Sequence, residues 1–191
     1  MTTSTVTPTE RLLTASLLVA PLVYLAADSL YAARGWDDAT AGVLHVLGAI
    51  AYGFVVLAVA WRLPGDSRLA AVLVAVGLIG MAGNVAYGFD TIHASFGDVN
   101  LVDRGGAATL IKPLGLFFPL SLLLAAAALH RLGHVWPAVT VAIAALVWPV
   151  AHIGNIAELA VPVNVALVLA FGGLAVARRR PSLLTDRLSI S

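Results

Sequence analysis

Three polar side chains recur at intervals of three residues within an apolar stretch, and they are His152, Asn155 and Glu158. Residues at this spacing stay close to one side of a helix, so they form a polar ladder. A second ladder with the same spacing comprises Asn84, Tyr87, Asp90 and His93. The two stretches also share a tetrapeptide pattern, Gly-Asn-Val-Ala at 83–86 and Gly-Asn-Ile-Ala at 154–157. We expect the two ladders to lie on two helices and to face each other.

Carboxyl groups and imidazoles of this kind suit acid–base chemistry on a lipophilic molecule. Burial in apolar surroundings favours the uncharged form of a carboxyl group, which keeps a proton available at neutral pH. A nearby histidine can then accept the proton that the substrate releases. The residues expected to act as acid or base are Asp28, His45, Asp90, His152 and Glu158. The residues expected to bind the substrate through rings, amides or an amine are Tyr24, Tyr31, Tyr52, Asn84, Tyr87, Lys112, Trp148 and Asn155.

These residues predict an enzyme that isomerises, cyclises or rearranges a lipophilic small molecule without a cofactor. Two alternatives use the same residues. Histidines on three helices together with a carboxylate suit zinc or iron and a metal-dependent membrane hydrolase, and the histidines concerned are His45, His93 and His152. The other alternative is a protein that binds or transports a small molecule or a lipid. A carrier needs a path through both halves of the membrane, and the sequence offers polar residues in one half only.

Several of these residues also have simpler explanations. Lys112 lies near a span end, where its amine can reach the membrane surface instead of pairing with Asp28, Asp90 or Glu158. A lone histidine such as His45 is often a hydrogen-bonded packing residue. Asp90 and Glu158 would be solvated if their spans end a few residues earlier.

The composition places the chain in a membrane. Its 191 residues are 60% hydrophobic and only 11% charged, with a mean hydropathy of +0.96. Soluble domains contain about 25% charged residues. The net charge of +1 gives no reason to expect nucleic acid as a partner, and the absence of cysteine excludes disulfides and thiolate chemistry. We therefore expect a lipophilic small molecule and membrane lipid as partners.

Six apolar runs have the length of about 20 residues that a membrane-spanning helix needs. They cover residues 12–33, 41–61, 69–89, 107–129, 137–157 and 159–177. The sequence predicts one all-helical domain over residues 11–178, a six-helix bundle. Residues 1–10 are predicted to be a disordered tail and residues 179–191 a basic tail.

The arginines predict the orientation of the bundle in the plasma membrane. One side of a six-span arrangement collects Arg11, Arg62, Arg68, Arg131, Arg178, Arg179, Arg180 and Arg187, whereas the other has Arg34 and Arg104. Positive residues favour the cytoplasmic side, so both termini are expected there, and Trp36, on the outer side, is expected to anchor the surface. The inner halves of all six spans then contain no Asp, Glu, Lys or His between the boundary arginines. Because such groups are costly in lipid, we expect Asp28, His45, Asn84, Asp90, Lys112, His152, Asn155 and Glu158 to converge on one pocket open to the outer leaflet.

Overall fold

The computed structural model describes residues 6–177, and this part of the chain is all-helical. Its six α-helices are α1 (Pro8–Arg34), α2 (Ala39–Ala60), α3 (Arg68–Ala94), α4 (Ile111–Arg131), α5 (Val135–Ile153) and α6 (Ala157–Ala177). Two short 3-10 helices, Leu101–Asp103 and Gly106–Leu110, lie in the long connection between α3 and α4. The predicted basic tail of residues 179–191 lies outside the described residues.

All six helices are long and apolar enough to cross a membrane. Large apolar side chains also cover the outside of the bundle, where Leu146 is 65% exposed and Leu169 is 70% exposed. A soluble protein rarely exposes contiguous apolar surface of this kind. These features indicate a multi-pass membrane protein.

The helices pack as a closed ring. Each helix packs against the next along the chain, and α6 packs against α1. The contact between α3 and α4 is especially close, because a Cβ atom on Gly83 would overlap the backbone carbonyl carbon of Leu114. One end of the ring carries the connections 35–38, 95–110 and 154–156, and we call it the pocket end. The opposite end, where α1 begins and α6 ends, is called the terminal end.

Polar side chains begin three of the helices. The Thr7 hydroxyl accepts a hydrogen bond from the backbone N–H of Glu10 while the Glu10 carboxylate accepts one from the backbone of Thr7, which is a capping box. The side chains of Asp38 and Ser67 cap α2 and α3 by accepting one hydrogen bond each from a backbone N–H in the first turn. Helix α1 therefore begins at Pro8, four residues before the predicted span, and the prediction of disorder through residue 10 is wrong for residues 8–10.

The turn between α5 and α6 differs most from the prediction. Helix α5 ends at Ile153 instead of residue 157, and α6 begins at Ala157. Asn155 has a left-handed backbone with φ of 51°, and the N–H of Ile156 donates to the carbonyl of Ala151 over 2.8 Å. This six-residue closure around an asparagine is a Schellman motif, a common helix end. Asn155 and Glu158 therefore do not continue the helical face of His152, and the predicted ladder of His152, Asn155 and Glu158 does not lie on one helix.

Candidate functional site

A pocket of about 420 Å³ lies at the pocket end of the ring. Its polar and aromatic borders come from α2, α3, α4, α5 and three connections, and include Trp36, Asp37, His45, Asn84, Tyr87, Asn100, Asp103, Lys112, Trp148, His152 and Asn155. Apolar residues such as Ile111, Leu116 and Ile153 complete the wall. The pocket thus combines an apolar interior with hydrogen-bonding groups and charges, as ligand sites do.

A fully buried carboxyl group lies behind one wall of the pocket. Asp28 of α1 has no exposed surface, and its Oδ2 atom lies 3.1 Å from Nε2 of His152. Asn164 of α6 donates to the same oxygen from Nδ2 over 2.6 Å. Asp28 does not itself border the pocket. Asp28 therefore contacts the pocket residue His152 from behind, and the hydrogen bonds of Asp28 to His152 and Asn164 join α1, α5 and α6.

The tautomer of His152 follows from its two partners. Nδ1 lies 3.1 Å from the backbone carbonyl oxygen of Trp148, and a carbonyl can only accept, so Nδ1 carries a hydrogen. Nε2 faces Asp28, and one further proton is shared across that contact: either an imidazolium faces a carboxylate or a neutral imidazole faces a carboxylic acid. The imidazole ring is also fixed by stacking on Trp148, with centroids 4.1 Å apart, and by the edge contact of Trp36 at 6.0 Å.

A second histidine lies at the floor of the pocket with different partners. Nε2 of His45, the hydroxyl of Tyr24 and Oδ1 of Asn84 form a triangle with sides of 3.2, 3.0 and 3.2 Å. The orientation of the Asn84 amide is fixed, because Nδ2 donates to the carbonyl of Gly80 over 3.0 Å. The triangle therefore contains an acceptor, Oδ1, at hydrogen-bond distance from Nε2.

This arrangement fixes the tautomer of His45 as well. Two lone pairs facing each other at 3.2 Å would repel, so Nε2 carries the hydrogen and Nδ1 of the neutral ring carries the lone pair. Nδ1 of His45 is buried and has no hydrogen-bond partner among the described residues. The two pocket histidines therefore have opposite tautomers: His152 has Nδ1–H with a shared proton at Nε2, and His45 has Nε2–H with an open acceptor at Nδ1.

Asp90 holds a loop instead of facing the pocket. Its two carboxylate oxygens accept hydrogen bonds from the backbone N–H groups of Leu101 and Val102 over 2.6 and 3.0 Å. These bonds hold the 3-10 helix Leu101–Asp103 at the pocket, which Val102 and Asp103 border. The predicted acid–base role of Asp90 is not supported by this position, because both oxygens already bind backbone.

Lys112 borders the pocket, but its partner is not one of the three predicted carboxylates. Nζ of Lys112 lies 3.2 Å from Oδ1 of Asp103, and both side chains are more than half exposed. Of the two alternatives for Lys112, pairing with Asp28, Asp90 or Glu158 does not occur in this structure, where its carboxylate partner is Asp103. The sequence did not reveal this pair because the long connection had no predictable path.

Other predicted residues lie outside the pocket. Glu158 is exposed at the start of α6 and does not border the pocket, so its position does not support the predicted acid–base role. Tyr24, Tyr31 and Tyr52 are buried between helices and do not line the pocket either. Tyr24 supports His45, Tyr31 donates to the hydroxyl of Thr91 over 3.4 Å, and Tyr52 packs its edge on Tyr24.

The residues of the metal alternative do not come together. His93 lies apart from the pocket, with Nδ1 3.9 Å from a carboxylate oxygen of Asp98. Within residues 6–177, no three side chains of the metal-binding types form a group that could hold an ion. His45 and His152 border the pocket, but within residues 6–177 they do not form such a group with a third side chain.

Several contributors to the site were not predicted, and besides the loop residues Asp37, Asn100 and Asp103 they include Asn164 and Trp36. Asn164 is fully buried and binds Asp28, and an amide inside the apolar run of α6 was the available signal. Trp36 borders the pocket beside His152 and stacks on Tyr31 with centroids 5.0 Å apart, although it was expected to be a surface anchor. Its position depends on the path of the short connection after α1.

Comparison of this chain with models of protein families, with curated proteins and with solved structures finds no match.

Proposed function

We propose that this chain is inserted in the plasma membrane with both termini in the cytoplasm and the pocket end facing outward. The exposed apolar surface of the bundle and the arginines at the terminal end support this orientation. Single cysteines introduced at Asp66 and Asn100 test it, because the natural chain has no cysteine. A membrane-impermeant maleimide should label position 100 in intact cells and position 66 only after permeabilisation. The reverse pattern would contradict the orientation.

We further propose that the protein is an enzyme that isomerises or cyclises a lipophilic small molecule by moving protons. One observation carries this proposal: one histidine at the pocket has an acceptor nitrogen with no hydrogen-bond partner among the described residues, and another shares a proton with a buried carboxyl group. Two titratable groups in such different environments are a common arrangement for a base and an acid. His45 would act as the base and His152 as the acid, with Asp28 and Asn164 as positioning residues.

The bound molecule loses one proton and gains one, and the two histidines regain their starting protonation by exchange with water. Nδ1 of His45 takes a proton from one atom of the bound molecule, and His152 delivers a proton to another atom. Delivery requires one hydrogen bond of His152 to open. The bond from Nδ1 to the Trp148 carbonyl is the weaker one, because its acceptor is neutral, whereas the contact with Asp28 is charge-assisted. We therefore assign delivery to Nδ1–H, with Asp28 stabilising the ring throughout.

Exchange with deuterium oxide tests the reaction without knowledge of the substrate. Purified protein in lipid nanodiscs is incubated with a lipid extract of its host in deuterium oxide, and the mixture is profiled by mass. We expect one lipophile to gain deuterium as the substrate and product interconvert. Removal of a general base lowers rates by about 100- to 10,000-fold, so His45→Gln should abolish the signal.

The matched control is His130→Gln, because His130 is exposed and lies at the terminal end of α4. This variant should exchange deuterium as the natural protein does. Equal exchange by the His45→Gln variant would remove His45 from the mechanism, and no deuterium uptake at any pH would refute the enzyme.

The second candidate is a protein that binds a small molecule and releases it unchanged. It is favoured by the fact that both ring nitrogens of His152 have partners within the protein. A carrier is less well supported, because every buried Asp, His and Asn side chain among residues 6–177 lies in the pocket-end half of its helix. Recovery of a bound lipophile that carries no deuterium would favour the binding protein.

A further inference from the structure

One helical residue at the border of the pocket has no side chain. Gly115 of α4 borders the pocket and lies beside the triangle at its floor, because Nδ2 of Asn84 lies 3.5 Å from the Gly115 carbonyl oxygen. Apart from its two neighbours along the chain, a Cβ atom on Gly115 would meet no side chain and no other helix within 4 Å among the described residues. The glycine therefore leaves open space at this position.

This open space belongs to the pocket. Residues three, four and seven positions further along α4 lie on the same face as position 115, and all of them are buried in the bundle. They are Phe118, Pro119 and Leu122. Ile111 and Lys112, one turn earlier on that face, border the pocket. The Cα–Cβ bond also tilts toward the N-terminus of a helix, and α4 begins at the pocket end. A side chain at position 115 would therefore point into the pocket.

Neither the backbone nor the packing of α4 requires glycine at this position. Gly115 lies within the helix and does not have a positive φ. The close approach of α3 depends on Gly83, whose own Cβ atom would overlap the α4 backbone. Asn84 lies against the carbonyl of Gly115, which any residue would provide. Because glycine inside a helix is less stable than alanine, the remaining explanation is the space that it gives to the pocket.

We propose that Gly115 is a specificity-determining residue, and that the space beside it receives an apolar part of a lipophilic molecule. The wall there is apolar, since Ile111 and Leu116 border the pocket on either side of Gly115 along α4. This inference rests on the site of the proposed function and names the size of the molecule bound there.

The volume of the pocket indicates that size. A cavity of about 150 Å³ binds benzene, which has six non-hydrogen atoms. By this ratio, the cavity of about 420 Å³ takes roughly 17 non-hydrogen atoms. The expected ligand is therefore a lipophile of the size of a sesquiterpenoid.

The test fills the space beside α4 by mutation. In the rotamers that a helix allows, a leucine side chain points toward the helix N-terminus, so Gly115→Leu should fill the pocket beside the triangle. Each CH₂ group that leaves an apolar pocket weakens binding about fourfold. Gly115→Ala displaces about one carbon and should weaken a ligand that fills the pocket about fourfold, whereas Gly115→Leu should weaken it about 100-fold or more.

Three isoprenoid alcohols serve as probes: geraniol, farnesol and geranylgeraniol. Farnesol matches the size of the cavity, geraniol is one isoprene unit shorter, and geranylgeraniol is one unit longer. Binding to the full-length protein in nanodiscs is measured by equilibrium dialysis against the free aqueous concentration, and uptake by protein-free nanodiscs is subtracted. The natural protein should bind farnesol more tightly than geraniol and at least as tightly as geranylgeraniol. Gly115→Leu should lose farnesol binding by the factor given above and keep geraniol binding within about fourfold, the equivalent of one CH₂ group.

The matched control is Gly173→Leu in α6, because Gly173 is exposed and a Cβ atom there also has open space. This variant should bind all three probes as the natural protein does. Gly115→Ala should melt at or above the melting temperature of the natural protein, because its methyl group meets no other helix. A lower melting temperature would assign the glycine to packing and overturn the inference. If Gly115→Leu does not fold, the loss of farnesol affinity in Gly115→Ala still decides the question.

Equal farnesol affinity of Gly115→Leu and the natural protein would overturn the inference. So would an equal loss of geraniol and farnesol affinity, or no saturable binding of any probe by the natural protein. The result is independent of catalysis. A shift from farnesol to geraniol without deuterium exchange in the host extract would retain the role of Gly115 and refute the enzyme, whereas deuterium exchange without this shift would do the reverse.

Discussion

Replacement of Asp28 by leucine should be among the most damaging changes in the chain. Leucine has a similar size but cannot accept a hydrogen bond, so Nδ2 of Asn164 loses its 2.6 Å partner and Nε2 of His152 loses its 3.1 Å partner. Both partner residues are buried, and water cannot replace Asp28. Each orphaned buried group costs about 1–3 kcal/mol, so the two together should lower the free energy of unfolding by about 2–6 kcal/mol.

The isosteric variant Asp28→Asn separates shape from charge. Asn164 and His152 contact the same oxygen of Asp28, so the asparagine presents to them either an oxygen that accepts from Asn164 or an NH₂ group that donates to Nε2 of a neutral His152. One of the two hydrogen bonds is kept, so Asp28→Asn should cost about 1–3 kcal/mol, which is less than the leucine variant. It has no proton to share, however, and should lose the deuterium exchange of the proposed reaction.

The assay is equilibrium unfolding in mixed detergent micelles, followed by circular dichroism. The control is Ser29→Ala, since Ser29 is exposed and its hydroxyl bonds only the carbonyl of Leu25 in the same helix. This control should change stability by less than about 0.5 kcal/mol. An unchanged free energy of unfolding in Asp28→Leu would show that the hydrogen bonds of Asp28 do not stabilise the bundle. An equal decrease in the leucine and asparagine variants would show that an isosteric side chain does not keep a hydrogen bond at this position.

Three further changes test other parts of the structure. Gly83→Ala should disrupt the contact of α3 with α4, because its Cβ would overlap backbone atoms of α4. Its melting temperature should fall well below that of the control Gly173→Ala, where a Cβ has open space, and equal melting temperatures would contradict the close approach. Asp90→Ala should free the connection 95–110 and increase its cleavage by added protease, whereas unchanged cleavage would show that the two backbone hydrogen bonds do not hold the loop. Lys112→Ala should change the free energy of unfolding by no more than about 1 kcal/mol, because its pair with Asp103 is exposed; a larger loss would indicate a second partner.

The sequence predicts the six helices well because their signal is length and apolarity. The number of helices and most of their residues are confirmed, and every buried Asp, His and Asn side chain among residues 6–177 lies in the pocket-end half of its helix. The α5 end was missed because Gly154 and Asn155 were interpreted as part of a ladder, although Gly-Asn is also a helix-ending pair. The same pair at 83–84 stays helical, since Gly83 packs on α4 and Asn84 binds the Gly80 carbonyl. Local sequence does not distinguish these two outcomes.

The candidate site was predictable in type but less so in its contacts. Asp28 and His152 are 124 positions apart, and only the closure of the ring brings them together. The roles of Asp90 and Lys112 depended on the path of the long connection, which no periodic pattern predicts. Asn164 could have been found as a buried amide in an apolar helix, because such residues need a partner.

The opposite tautomers of the two pocket histidines are the claim on which this account depends most directly. Nitrogen NMR of protein labelled with heavy nitrogen in its five histidines measures them, with His45→Gln and His152→Gln used to assign the signals. We predict that Nδ1 of His45 is unprotonated while its Nε2 carries hydrogen, and that Nδ1 of His152 carries hydrogen. Hydrogen on Nδ1 of His45, or a bare Nδ1 on His152, would contradict the assignment of base and acid.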